Sequence, residues 1–289
     1  MTTYTYNIWQ KDGVEYFCDD IETPETIKAR LIDKSITDVV LDEDTKIIEV
    51  QGFSETNIRS IIMPNKLKKI ETEAFYYCPQ LSNIEFNEGL EFIGNYAFWG
   101  CDGIINLILP NSVLNIGEGA FMKCHNLKDA VLSDNLQEIG FSLFFGCENL
   151  EKVIIGKNTK VIYQAAFAEC TKLKNVVFSE GLKEIQWRTF ENCNSLEEIT
   201  IPNSVEIIED PFTDCKNLKA IYISKETLNK NPAFEKEYRN KIIVKEDMDL
   251  DRLVNMGKTF KEINKLKKTF ENFSEKEKDR LSYNMNPLF

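Results

Sequence analysis

Apolar and polar positions alternate along most of this chain in a pattern that returns every 23 residues. In the unit opening at Cys101, apolar residues fall at Ile104, Leu107, Leu109, Val113, Ile116 and Phe121 before Cys124 closes it. The unit opening at Cys170 carries Leu173, Val176, Phe178, Leu182, Ile185 and Phe190 in the same phase. Cys78, Cys101, Cys124, Cys147, Cys170 and Cys193 are each 23 residues apart, and Cys215 follows after 22. Fixed self-similarity at this period marks a solenoid, whose units bury their apolar faces only by stacking. Counted back from Cys78, the period places Glu55 in the cysteine position, with Ile58, Ile61, Met63, Leu67, Ile70 and Phe75 in phase. A degenerate rung precedes it (Ile36, Val39, Leu41, Ile48, Phe53), and Leu218, Ile221 and Ile223 begin a last one, giving about eight rungs and a partial one.

Inside each unit, Leu-x-x-Ile-x-Ile alternates between two faces and predicts a short β-strand with its outer apolar residues in the core. A turn follows at Pro64-Asn65, Pro110-Asn111 or Pro202-Asn203, since proline presets one dihedral and removes a donor. The Ala-Phe-x-x-Cys stretch then packs a helical turn or loop on the back. Stacked rungs make one parallel sheet face, with about 4.8 Å between neighbours.

The phrase from Ile116 through Gly117-Glu118-Gly119-Ala120-Phe121-Met122-Lys123-Cys124 to Leu127, with Ile-Pro-Asn-Ser-Val at 201–205, resembles the BspA-type leucine-rich repeat, also called the Treponema pallidum type. The resemblance covers roughly 33–245, and the stretch from Ile223 to Ile243 is similar to the closing cap common in that family. It implies an α/β solenoid, a right-handed stack of leucine-rich rungs. Family members are commonly surface proteins that bind host matrix or other cells, so it also implies a protein-binding, adhesive role.

The ends break the period. Tyr4, Tyr6 and Ile8 alternate, Lys11-Asp12-Gly13 turns, and Val14 to Cys18 returns, which predicts a hairpin. Thr23-Pro24 reads as the cap and first position of a short helix ending near Leu31. Residues 1–32 are therefore expected to form an N-terminal cap, 33–246 the solenoid with its closing cap, and 247–289 a helical segment. In the last, Leu250, Leu253, Val254, Phe260, Ile263, Leu266, Phe270 and Phe273 are helically spaced, and Ser274 with Glu277 forms a capping-box signature. Two readings stand for it, a cap on the last rungs or a separate partner-binding module.

Composition narrows the function. A net charge of −12 argues against nucleic acid as a partner, because phosphate backbones are bound through Lys and Arg. No apolar run approaches the roughly 18 residues of a transmembrane segment. The start has neither a basic nor an apolar leader region, so a cytoplasmic location is expected, with the cell surface implied only by the resemblance.

Candidate chemistry is sparse. His125 is the single histidine and occupies a position where other rungs carry Asp102, Glu148, Thr171 or Asn194. The cysteine column places thiols in a line, whereas structural zinc needs four donors converging on one point. Buried packing as small hydrophobes is the favoured role. With no phosphate loop, no cofactor site and no metal site expected, the sequence predicts a protein that is not an enzyme.

The informative feature is the outward column of the strands: Val40, Ile62, Glu85, Ile108, Val131, Ile154, Val177, Thr200 and Tyr222 on successive rungs. The adjacent outward column is polar (Asn83, Asn106, Asp129, Lys152, Asn175, Glu198). Branched residues suit strands in any case. An apolar stripe rimmed by polar residues is also how a binding face looks. On that second reading Ile62, Ile108, Val131, Ile154, Val177 and Tyr222 contact a protein partner, or a second copy of the chain in a homo-oligomer.

Overall fold

The computed structural model describes residues 7–18 and 27–245; the segment expected to be helical at 247–289 lies outside the described residues. The chain winds into about nine stacked parallel turns of about 23 residues. Strands of three residues, or four in one case, form the main ladder, in three runs: Asp38–Val40, Ser60–Ile62 and Asn83–Glu85; then Asn106–Ile108, Asp129–Val131, Lys152–Ile154 and Asn175–Val177; then Glu198–Thr200, Ala220–Ile223 and Ile242–Val244. Pairing is parallel and in register, Leu107 opposite Ala130, Val153 and Val176 in turn. The middle residue of most strands is buried, as at Ile61, Leu107, Ala130 and Val153, while Ile84 and Val176 are partly buried and packed against the same core.

A second ladder, not foreseen in the sequence, runs beside the first. Its two-residue strands include Phe92–Ile93, Asn115–Ile116, Glu138–Ile139, Val161–Ile162 and Glu184–Ile185. One apolar residue per rung was visible there as a core position, but two residues are too short to show alternation.

Between the second strand and the cysteine, the rungs ending at Cys78 through Cys193 each turn twice through the left-handed region, and the one ending at Cys215 turns once, at Asp214. One set of such positions holds Tyr96 (φ 52°), Gly119 (φ 56°) and Ser142 (φ 51°); the other holds Tyr77 (φ 54°), Gly100 (φ 68°) and Lys123 (φ 58°). Inside these turns stand the phenylalanines. Phe53, Phe75, Phe98, Phe121, Phe144, Phe167, Phe190 and Phe212 are all buried, with successive ring centroids 5.0 to 5.7 Å apart and planes within 19°. A face-to-face column at this spacing follows from the rung separation, and its size makes it the main apolar content of the core.

The cysteines lie just behind the rings. Each thiol donates to the carbonyl oxygen of the phenylalanine one rung earlier: Cys101 to Phe75 at 3.1 Å, Cys147 to Phe121 at 3.1 Å, Cys193 to Phe167 at 3.2 Å. All eight cysteines are reduced and buried. In the rung without a thiol, Thr56 rather than Glu55 fills the position: its hydroxyl donates to the Phe53 carbonyl at 2.8 Å and lies 3.4 Å from the Cys78 sulfur. The cause is a one-residue deletion in that rung, since Phe53 to Phe75 is 22 residues while Ser60 pairs with Asn83 at 23.

At the N-terminal side, β1 (Asn7–Lys11) and β2 (Val14–Cys18) form an antiparallel hairpin through Asp12 and Gly13, both at positive φ. The helix expected to end near Leu31 is not present over its described part. Ile27–Leu31 is a strand, β3, antiparallel to β2 and parallel to Thr45–Ile48. Ala29 and Leu31 are buried, while Arg30 points out and donates from Nε to Glu15 at 2.7 Å. A period of two over five residues suits a strand, and β3 lies between β2 and the second ladder, which supplies the partner that Thr23-Pro24 could not announce.

At the other end, Ser224 caps α1 (Lys225–Lys230) by accepting from the Thr227 amide, and α2 (Pro232–Tyr238) follows. Asn231 between them stands in for backbone of a further rung: its Oδ1 accepts from the Ile208 amide at 2.8 Å and its Nδ2 donates to the Glu206 carbonyl at 3.2 Å. Phe234 and Tyr238 close the ring column, Tyr238 meeting Phe212 edge-on at 5.7 Å.

Candidate binding surface

The three-residue strands of the main ladder are too short to hold more than one inward residue, so the residues on either side of it face out. From Asn106–Ile108 to Asn175–Val177 a polar column opens each strand and an apolar column ends it. Register puts Ile62 beside Val40, Ile108 beside Val131, Val131 beside Ile154, Ile154 beside Val177, and Tyr222 between Thr200 and Ile243. The six apolar positions singled out from sequence therefore do lie on one side of the coil.

They are not equally open. Ile108 is 38% exposed and Ile62 and Val177 are half-buried, but Val131 and Ile154 are each 7% exposed and Tyr222 only 3%. An evenly exposed stripe is thus corrected: Ile62, Ile108 and Val177 are accessible, whereas Val131, Ile154 and Tyr222 are buried. Part of the reason is local. Val131 and Ile154 have branched side chains on both sides in the ladder, whereas Ile108 opens its run of strands. On this side burial, opposed by the neighbouring Lys152 and aided by Glu151, raises the Asp129 carboxyl above its ordinary value.

Beside the strand starts, a shallow groove of about 480 Å³ is lined by Asp102, Gly103, Ile105, Asn126 and Lys128. Ile105 is 48% exposed there. His125 adjoins it and is held by Asp102, whose Oδ1 lies 2.9 Å from Nδ1 and accepts from the His125 amide at 2.9 Å. Asn126 and Asn149 continue the row, donating to the carbonyls of Asp102 and His125. These bonds tie one rung to the next. Among the described residues, no group of three or more His, Cys, Asp or Glu side chains could hold a metal ion. No described helix is long and apolar enough to cross a membrane.

Sequence reasoning missed the other side of the coil. Tyr77, Phe141 and Trp187 are 53%, 45% and 42% exposed on the turns before the cysteines. Their positions vary among aromatic, glycine and polar residues from rung to rung, so no repeated column advertised them.

A parallel stack closed by a conserved-length turn, with a phenylalanine column inside and short strands on its face, defines a leucine-rich-repeat solenoid. More narrowly, the chain belongs to the BspA type leucine rich repeat region family, whose model matches residues 45–168 and 138–250 with six copies. Among solved structures, the leucine-rich repeat protein of T. pallidum is 22% identical with a TM-score of 0.57, covering 66% of this chain and 87% of that one. A leucine-rich repeat protein of Bacteroides ovatus is 23% identical with a TM-score of 0.58, covering 77% and 70%. These likenesses establish the fold. No curated protein matches the chain.

Proposed function

We propose that the protein is a non-enzymatic scaffold that binds a protein partner through the sheet face, in the adhesive manner the family resemblance implies. The observation that supports this reading is the segregation of the two outward columns: in-register strands present Ile62, Ile108, Val131, Ile154 and Val177 in one and Asn106, Asp129, Lys152 and Asn175 in the other. Strand propensity alone favours branched residues in either column, so it does not explain why they gather in one. The accessible members, Ile62, Ile108 and Val177, are the contacts a partner reaches first.

The test is capture from the native source with the intact chain as bait, repeated with Ile62→Glu/Ile108→Glu. Both sites are at least partly exposed, so the variant keeps its fold while a charge in an apolar interface must be desolvated without a partner. Partners retained by wild type and lost by the variant support the reading; an identical set of captured proteins sinks it. The same column favours one second reading, a homo-oligomer paired stripe to stripe. Light scattering of the pure protein separates them, because self-association needs no added partner.

A further inference from the structure

The back of the coil carries a second organised surface. Tyr77 and Tyr96 leave the chain from left-handed positions and lie against glycine in the following rung. A Cβ on Gly100 would sit 3.1 Å from the Tyr77 ring, and one on Gly119 only 2.5 Å from that of Tyr96. Glycine at those two places is what lets each ring lie flat on the next turn. Trp99 stacks on Tyr76 at 4.7 Å with planes 10° apart, and Phe141 stacks on Tyr163 at 4.8 Å.

Charge is segregated here too. Across the six turns at 71–78, 94–101, 117–124, 140–147, 163–170 and 186–193, the carboxylates are Glu71, Glu73, Glu118, Glu169 and Glu191, and the only cations are Lys123 and Arg188. Both cations rest on indole rings: Lys123 Nζ is 5.4 Å from the Trp99 centroid and the Arg188 guanidinium 4.0 Å from that of Trp187. Several lysines elsewhere are engaged in rung-to-rung ion pairs, among them Lys68 with Glu91, Lys174 with Glu151 and Lys183 with Glu206. The phenols of Tyr96 and Tyr163 are held above their ordinary values, Tyr96 chiefly by its bond to Glu118 and Tyr163 by burial and by Glu138.

We propose that this ridge is a docking surface, separate from the sheet face, for an extended Lys- and Arg-rich segment of a partner protein, whose cations seat over the exposed rings and beside the carboxylates. Aromatic faces attract cations, and the chain's own two cations already adopt that placement. An acidic partner would meet five carboxylates, and a wholly apolar one would strip them of water with nothing in return. Six rungs span about 24 Å, the length of about seven extended residues.

The test uses the full chain and a fluorescein-labelled Arg-rich heptapeptide, with its Glu counterpart as control, followed by anisotropy at about 0.15 M salt. Wild type is expected to bind the cationic peptide and not the acidic one. Tyr77→Ser/Phe141→Ser/Trp187→Ser leaves every charge in place and should weaken binding about tenfold or more. Equal binding by that variant would mean that net charge alone attracts the peptide, and no binding by wild type would mean that no such site exists; either overturns the proposal. Tighter binding of a neutral oligosaccharide than of the cationic peptide overturns it as well. Should a thermal melt show the triple variant unfolded, Phe141→Ser and Trp187→Ser singly carry the test, each expected to weaken binding about threefold.

Discussion

The Cys124 thiol donates to the carbonyl oxygen of Phe98, 3.2 Å away and 26 residues earlier in the chain. The same bond recurs in every rung that has a cysteine, so the thiols are at once small hydrophobes and second donors to carbonyls that already accept from their own turn, as the Phe98 carbonyl does from the Cys101 amide at 3.3 Å. The thiol occupies the second lone pair of a buried carbonyl, and a hydrogen bond of this kind contributes about 0.5–1.5 kcal/mol.

Burial pushes the Cys124 thiol from 9.0 up to about 12, and Cys215 to about 12 as well. In the folded state these thiols keep protons that the unfolded chain has already released, so the unfolded state binds fewer protons between those values. The stability they confer is therefore complete below about pH 9 and is lost as pH climbs toward about 12. Urea midpoints at about pH 8 and about pH 10.5 should fall accordingly, and Cys124→Ser, which keeps a donor but does not ionise, should flatten the decline. An equal decline in the variant removes the thiol from the explanation. Titration of native protein should find few reactive thiols, against close to eight after denaturation.

Phe121 lies between Phe98 at 5.2 Å and Phe144 at 5.7 Å with no solvent exposure. Phe121→Ala should cost about 3–5 kcal/mol, because the rings above and below are fixed by their own rungs and cannot collapse into the space. Denaturant melts measure this, and a loss below about 1 kcal/mol would place the ring outside the core.

Thr56 bonds both the Phe53 carbonyl and the Cys78 sulfur. Thr56→Val keeps shape and removes the donor, so it should destabilise by about 1–2 kcal/mol. Thr56→Cys should recover most of that loss by extending the thiol column one rung; the same melts compare the two.

The position of Thr56 also marks what the sequence could and could not show. Period, phenylalanine column, inward strand residues and cysteine packing all follow from positions that repeat, and stacking copies any local rule along the coil. A single deletion inside a turn is invisible to counting, because Glu55 and Thr56 are both polar. The strand at Ile27–Leu31 was misread since its pairing partner, Thr45–Ile48, is distant in sequence and a Thr-Pro pair opens helices as readily as strands. For the sheet face, the column was legible from alternation, but the exposure of each member was not: Ile108 and Ile154 share chemistry and register and differ from 38% to 7%.

That difference predicts unequal responses to charge. Ile108→Glu should change stability by about 0.5 kcal/mol, as exposed substitutions usually do. Ile154→Glu places a carboxylate where water is largely excluded and should cost at least about 2 kcal/mol. Equal melting temperatures would show that Ile154 is open in solution.

The parallel ladders carry a mechanical consequence. Their backbone hydrogen bonds, such as Leu109 to Val131 and Leu132 to Ile154, run from one rung to the next, along the axis of stacking. Tension applied at the two ends loads these bonds one rung at a time instead of shearing all of them together. The coil should therefore peel from a terminus under modest force, paying out slack in lengths of one repeat, with the rungs not yet reached still fully formed.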